Sequence, residues 1–189
     1  SEVAVLLEPL TIAEKGIFQT FEVQKRMAWE PKTALVLGIG PLGILCAMLL
    51  RDMEIETFAV GRGPLDPVRR TFLETMGVNY ITTRETPLVE IPKKLGCQVD
   101  FVIEATGSSQ VSFDAMQVIG INGALCLMGV SGGNKMLQVP ADVINLEMVL
   151  GNKLILGSVN ANRKYFEMGV RRFARFEKRW PGLLSRFVT

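Results

Sequence analysis

Short apolar runs alternate with stretches of helical length along almost the whole of this sequence. Residues 34–38, 56–61, 78–82, 99–106, 123–129 and 153–159 read as strands. Between them, residues 42–53, 66–76, 109–119 and 142–150 have the length and apolar content of helices. Gly77 closes the second of these. Residues 84–95 form a connection with no definite element, broken by Pro87 and Pro92. Two outer segments also read helical. Residues 11–29 bring Ile12, Ile17 or Phe18, Phe21 and Met27 to roughly one face, with Pro31 marking the end. Residues 163–179 space Phe166, Val170 and Phe173 in the same way. Strand interiors such as "ALVLG" and "ALCLMG" are apolar on both faces, as a covered parallel sheet requires. The pattern predicts an α/β fold: a doubly wound, parallel, six-stranded sheet in the order 3-2-1-4-5-6. In such a sheet a ligand lies at the carboxyl ends of the strands, where the strand order reverses.

Composition narrows the classes. Hydrophobic residues make up 48% of 189, enough for a sizeable core, and the net charge of +2 favours no charged partner. The longest apolar run, residues 42–50, is too short to span a bilayer and contains Gly43. No basic region and cleavage site open the chain, so no signal peptide is read. The first residue is Ser1, so the sequence reads as the middle of a longer protein or a processed product. Cys46, Cys97 and Cys126 are far apart and form no metal-type pair, which fits a reducing, cytoplasmic setting. There is no histidine. That removes imidazole metal ligands and any histidine base within this chain.

The first strand runs into Gly38-Ile39-Gly40-Pro41-Leu42-Gly43, a Gly-x-Gly-x-x-Gly turn that opens a helix. One reading is a purely structural turn. The other is a diphosphate cradle. Gly38 permits the turn, Gly40 admits the anion to the backbone, and Gly43 lets the helix pack on the strand. The amides of the first helical turn would face the anion. The strand–turn–helix context favours the cradle. The second strand ends at Gly61-Arg62-Gly63, with no carboxylate at its tip. An acid there would accept ribose hydroxyls and repel a 2′-phosphate, whereas an arginine attracts one. The sequence therefore predicts NADP, with NAD possible. The alternative for Arg62 is a solvated loop arginine. Arg69 and Arg70 either assist or cover an exposed helix face. No Tyr-x-x-x-Lys pair exists: four places after Tyr80 stands Arg84, and four after Tyr165 stands Gly169. The chain thus reads as the cofactor half of an enzyme, or as a nucleotide-binding module without chemistry of its own.

Taken together, "LLEPLTIAEKGI", "LVLGIGPLG", "VGRGPLDP", "VIEATG", "LMGVSGG" and "EMVLGNKLILGSVNAN" resemble the medium-chain, zinc-type alcohol and polyol dehydrogenases, in their glucose 1-dehydrogenase branch. The resemblance covers nearly the whole chain. It implies a Rossmann coenzyme domain over residues 31–189. Residues 1–30 would be a connecting segment and helix leading in from a catalytic domain. It implies oxidation of a sugar or polyol at its C1 hydroxyl by hydride transfer to nicotinamide, with zinc in the full-length enzyme. It sets Gly129, Val130 and Ser131 beside the cofactor, and Ser158 and Val159 at its nicotinamide end. Asn160 would sit near both cofactor and sugar. It also sets Glu8 beside the zinc and substrate, as a direct or water-mediated ligand, with the other ligands supplied from outside this chain. The other reading of Glu8 is a carboxylate at a positive helix end. Thr106 is a further candidate at the cofactor, and Glu104 is either structural or near the adenosine. Two departures stand out. The branch tends to carry two adjacent arginines after the second strand, and the second place here is Gly63. The chain also ends before the branch's return to the catalytic domain.

The remaining expectations are plainer. Cys46 and Cys126 should pack as small apolar residues. Arg171, Arg172, Arg175, Lys178 and Arg179 should solvate their helix rather than bind nucleic acid. Neither nucleic acid nor membrane is expected as a partner. A homo-oligomer could form along the edge between residues 123–129 and 153–159. The competing functional readings are a non-catalytic, NAD(P)-sensing regulatory domain and, more remotely, a methyltransferase.

Overall fold

The computed structural model describes residues 2–188. Six parallel strands form one sheet in the order β3-β2-β1-β4-β5-β6. They are β1 (Thr33–Leu37), β2 (Glu56–Gly61), β3 (Asn79–Thr82), β4 (Phe101–Glu104), β5 (Ala124–Leu127) and β6 (Leu154–Gly157). This is the doubly wound order expected from the sequence, with its reversal between β1 and β4.

Alternation along each strand feeds two cores. Ala34 and Val36, Phe101 and Ile103, and Ala124 and Cys126 face one side. They meet α1 (Leu7–Gln24), α2 (Pro41–Asp52) and α7 (Arg163–Arg179). Leu35, Leu37, Val102 and Leu125 face the other side, under α4 (Ile91–Leu95) and α5 (Ser109–Val118). The central strand β1 is buried at every position. The remaining helices are α3 (Pro67–Met76), α6 (Ala141–Leu150) and α8 (Leu183–Val188).

Strand ends are shorter than the apolar runs suggested. The run 99–106 contributes four residues to the ladder and the run 123–129 contributes four. Their last residues leave the sheet and become loops at its carboxyl edge. Helix α1 differs more. It is preceded by a 3-10 turn, Glu2–Leu6, and ends at Gln24 rather than Trp29. Its buried stripe is Leu10, Ala13, Ile17, Thr20 and Gln24. The helix stops early because Trp29 turns back to pack on Phe21 and Phe101, with ring centroids 4.9 and 5.9 Å apart. Residues 84–95 hold a 3-10 turn, Leu88–Glu90, and the short α4. The final helix α8 had no counterpart in the sequence reading. Leu183 and Leu184 bury there, and Phe187 meets Phe72 edge-on at 5.3 Å.

Candidate functional site

Register sets the site. Ile81, Val60, Leu37, Glu104, Leu127 and Gly157 lie side by side in one row across the sheet. All strands run the same way, so the chain leaves the sheet just beyond that row in every case. Apart from Glu8, and from Arg69 and Arg70 on α3, every residue predicted to meet the cofactor or sugar lies at the end of a strand or on the segments that leave there. The turn 38–43 follows β1, Gly61 ends β2 with Arg62 and Gly63 after it, Thr106 follows β4, 129–131 follow β5 and 158–160 follow β6.

The glycine turn has the geometry its spacing implied. Gly38 has φ +102°, a conformation side chains rarely adopt, and its amide donates to the Val60 carbonyl at 2.9 Å. A Cβ on Gly38 would press on the Ala105 carbonyl at 3.0 Å and on Thr106. A Cβ on Gly43 would strike the Gly38 carbonyl. A Cβ on Gly40 would meet nothing within 4 Å, so this face of the turn is open. Gly40 is the N-cap of α2 and supplies no side-chain cap; Pro41 follows it. The first intrahelical bond runs from Ile44 to the Gly40 carbonyl, 3.0 Å. The Leu42 and Gly43 amides therefore precede the helical ladder and face the anion-attracting end of the helix. Helices α3 and α7 are capped by their own Asp66 and Asn162 side chains, whereas α1, α4, α5 and α6, like α2, have no side-chain cap.

Beside the turn lies a cavity of about 540 Å³. Gly38, Ile39, Gly61, Arg62 and Thr106 line it. So do residues that the sequence reading passed over, among them Thr83, Leu88, Ser108 and Val111. Leu88 belongs to the connection whose structure sequence left undefined. The signal available for it was an apolar residue framed by Pro87 and Pro92. The tip of β2 is tied down from β3. The Tyr80 hydroxyl donates to the Gly63 carbonyl, the Thr82 hydroxyl donates to the Arg62 carbonyl at 3.2 Å, and the Thr83 amide donates to the Gly61 carbonyl at 2.8 Å. Burial pushes the Tyr80 phenol above its ordinary range, which keeps it protonated as a donor. A Cβ on Gly61 would meet that hydroxyl at 2.5 Å.

The tips of β4 and β5 interlock. Glu104 is fully buried; one carboxylate oxygen accepts from the Thr106 amide at 2.6 Å and from the Thr106 hydroxyl. Its other oxygen has no hydrogen-bond partner and lies beneath Gly129. Of the two readings for Glu104, this arrangement fits the structural one. The Ser131 hydroxyl donates to the Gly107 carbonyl at 2.9 Å. Val130 and Ser131 are exposed. Beyond β6, Ser158 is held by its amide to the Leu127 carbonyl, 3.0 Å. The Val159 carbonyl accepts from Lys15 at 2.7 Å. Asn160 has φ +60°, the left-handed region in which asparagine is the best tolerated residue after glycine. The 129–131 and 158–160 segments share the edge with the cavity but do not line it.

Glu8 stands apart. It is exposed in the first turn of α1, which suits the positive end of a helix. Among the described residues no group of three or more His, Cys, Asp or Glu side chains could hold a metal ion. A single carboxylate does not make a zinc site.

Comparison with known proteins shows the family. The family described as glucose dehydrogenase C-terminus matches residues 1–189. This chain belongs to that family. It is 42% identical over 188 residues to the glucose 1-dehydrogenase of Methanocella arvoryzae, covering 100% of this chain and 52% of the relative. It is 36% identical over 189 residues to glucose 1-dehydrogenase 1 of Caldivirga maquilingensis, again covering 100% and 52%. The chain thus spans about half the length of the curated relatives it matches. Among solved structures, glucose dehydrogenase from Haloferax mediterranei superposes with a TM-score of 0.87 at 32% identity, over 96% of this chain and 50% of that one. Another structure of the Haloferax enzyme, in complex with NADP, Zn and gluconolactone, superposes with a TM-score of 0.83 over 90% of this chain and 48% of that one. An alcohol dehydrogenase from Thermotoga maritima, at 22% identity and a TM-score of 0.73, shares the fold. No described helix is long and apolar enough to cross a membrane.

Proposed function

We propose that this chain is the NADP-binding half of a zinc-dependent glucose or polyol dehydrogenase. In this reading the full-length enzyme oxidises the C1 hydroxyl of a sugar by hydride transfer to nicotinamide. The observation that carries the reading is the uncapped start of α2 beside the open face of Gly40, at the point where strand order reverses. The likeness to Haloferax glucose dehydrogenase, which has a structure with NADP, Zn and gluconolactone, supports the choice of cofactor and substrate class.

The residues present fit a dinucleotide. The Leu42 and Gly43 amides would take the diphosphate, with Gly38, Ile39, Gly40 and Pro41 shaping the turn around it. The cavity under Gly61 and Thr106 suits the adenosine end in size and in its apolar walls. Arg62, exposed and without an ion-pair partner among the described residues, would meet the 2′-phosphate. Gly129, Val130, Ser131, Ser158, Val159 and Asn160 would flank the nicotinamide, and Asn160 would also reach the sugar. NADP supplies the hydride acceptor when bound. The protein's part is to hold the cofactor in register with the substrate and to keep its anionic end neutralised. Zinc does not fit the residues of this chain alone. Glu8 would join a zinc site only with ligands from another segment, and we assign it no step. We read residues 1–30 as the connection to that segment and 31–189 as the coenzyme domain.

Titration of the chain with NADP and NAD at fixed salt tests this reading. Both should bind, NADP more tightly, and Arg62→Ala should weaken NADP selectively. Absence of binding by either nucleotide would remove the reading. In the full-length enzyme, Asn160→Ala should lower turnover. A purely regulatory nucleotide sensor would have no turnover to lose.

We also propose a homodimer along β6. Its residues Leu154, Ile155 and Leu156 are only half-buried, and β6 ends the sheet. The neighbouring α6 buries none of its residues, leaving Val143, Leu146, Val149 and Leu150 exposed. An open edge flanked by an apolar helix needs a cover.

A further inference from the structure

We propose that Arg84 is a second specificity-determining residue for the cofactor's 2′-phosphate, acting with Arg62 as a two-guanidinium clamp. The inference rests on the NADP reading above. Its basis is a contact that sequence spacing does not reveal. Arg84 lies twenty-two positions after Arg62, beyond the end of β3. In the fold its guanidinium carbon lies over Gly63, 3.8 Å from where a Cβ on that glycine would stand, with Nε at 4.0 Å. The β3 exit thus delivers a cation to the tip of β2, against the residue that follows Arg62.

The frame that holds the two arginines is built from both strands. Gly61 pairs with Thr82 in the ladder, so the two chains leave the sheet together. The hydroxyl of Thr82 then donates to the Arg62 carbonyl at 3.2 Å and accepts from the Arg84 amide at 3.3 Å. One side chain therefore ties the backbones of both arginines. Tyr80 fixes the Gly63 carbonyl from below. Neither guanidinium is committed elsewhere: both side chains are exposed, and neither has an ion-pair or hydrogen-bond partner among the described residues. The nearest acid on the loop, Asp66, is already engaged by Arg69, amide at 2.9 Å and guanidinium at 3.0 Å. Two free cations at a strand tip form a site for a dianion; Glu85, the exposed acid next to Arg84, forms an ion pair with neither of them among the described residues. A phosphate monoester carries a charge of about −1.5 to −2 near neutrality, which one arginine does not neutralise. Gly63 has a role in this arrangement. A Cβ there would only touch the Arg84 guanidinium at ordinary contact distance, but a long side chain would compete with it for the same space.

The test uses the chain with two probe pairs, NADP against NAD and 2′,5′-ADP against 5′-AMP, titrated by calorimetry at fixed salt. Each pair differs by one phosphate at the ribose 2′ position. Arg84→Ala should weaken NADP and 2′,5′-ADP by about tenfold, as loss of one charge-assisted contact implies. NAD and 5′-AMP should change by less than about twofold on the same reasoning. Arg84→Lys should recover part of the loss, since charge is restored without the bidentate fork. Equal affinities of the variant and the unaltered chain for the phosphorylated probes would overturn the clamp, as would equal losses for all four probes. Failure of the unaltered chain to bind any of the four would overturn the nucleotide reading itself. Binding of NAD with no preference for the phosphorylated probes would overturn only the clamp.

Discussion

At the scale of single residues, the glycine turn separates two roles that the sequence spacing could not. Gly43 is a packing glycine: a Cβ there would strike the Gly38 carbonyl. Gly40 is an access glycine, facing open space. Gly43→Ala should therefore lower stability by about 1–3 kcal/mol, an overpacking cost read as a shift in the urea midpoint. Gly40→Ala should leave that midpoint nearly unchanged and weaken nucleotide binding instead. The cysteines separate just as clearly. Cys46 and Cys126 are buried, and Cys97 is exposed. Burial pushes the Cys46 thiol well up, aided by Cys126, and pushes Cys126 up to about 11. Both stay protonated at neutral pH, so a chromogenic disulfide reagent should titrate one thiol in the native chain and three after unfolding. Asp66 supplies a pH-dependent contribution. The Arg69 amide bond, with the Arg69 charge assisting, lowers its pKa below the ordinary carboxylate value. A depressed carboxylate stabilises the fold above its unfolded pKa, and this contribution fades as pH falls through the native value.

Among the elements, α7 departs most from expectation. The sequence predicts that its arginines solvate the helix. Phe176 does face inward and is fully buried, yet Arg172 is not a surface charge. It donates to Glu14 of α1 at 2.7 Å and to Asp52 at the end of α2. Asp52 also meets Arg175 at 3.1 Å and Arg179 at 3.9 Å. Burial works against the charge on Arg172, but the bonds and charges of Glu14 and Asp52 outweigh it and raise its pKa. The network joins three helices, and its acids are almost fully buried, at 4% and 3% side-chain exposure. Arg172→Met should cost about 3–5 kcal/mol, because two buried carboxylates lose their main partner. Adding Glu14→Gln and Asp52→Asn should return a large part of that loss. Unfolding of the two variants by urea provides the measurement. The helical spacing of Phe166, Val170 and Phe173 located α7 correctly but placed its buried face loosely. Phe166 and Val170 are exposed, at 38% and 58%, because Gly169 is the residue that approaches Leu7, Thr11 and Leu10 of α1. A close helix crossing needs a small residue at the contact, and periodicity of large apolar residues does not report it.

At the scale of the whole molecule, the exposed face of α6 and the open edge of β6 predict self-association. Light scattering should show a dimer, and Leu146→Glu with Val149→Glu should halve its mass without moving the urea midpoint, since both side chains are already exposed. A monomeric unaltered chain would remove the proposal. The sheet itself was legible in the sequence. Fully buried parallel strands are continuous apolar runs, and a glycine-rich turn marks the exit of the first, so the number of strands and the fold class they imply followed from the pattern along the chain. Local physics suffices there because each signal lies within a few neighbouring residues. Three things required the tertiary structure. The pairing of Thr82 with Gly61 carries Arg84 to Gly63, the packing of Trp29 on Phe101 ends α1 early, and Arg172 finds its acids on two other helices. Each is a contact between residues far apart in the chain, chosen by sheet register and helix crossing, and no local pattern of residue types encodes which distant partner will be met.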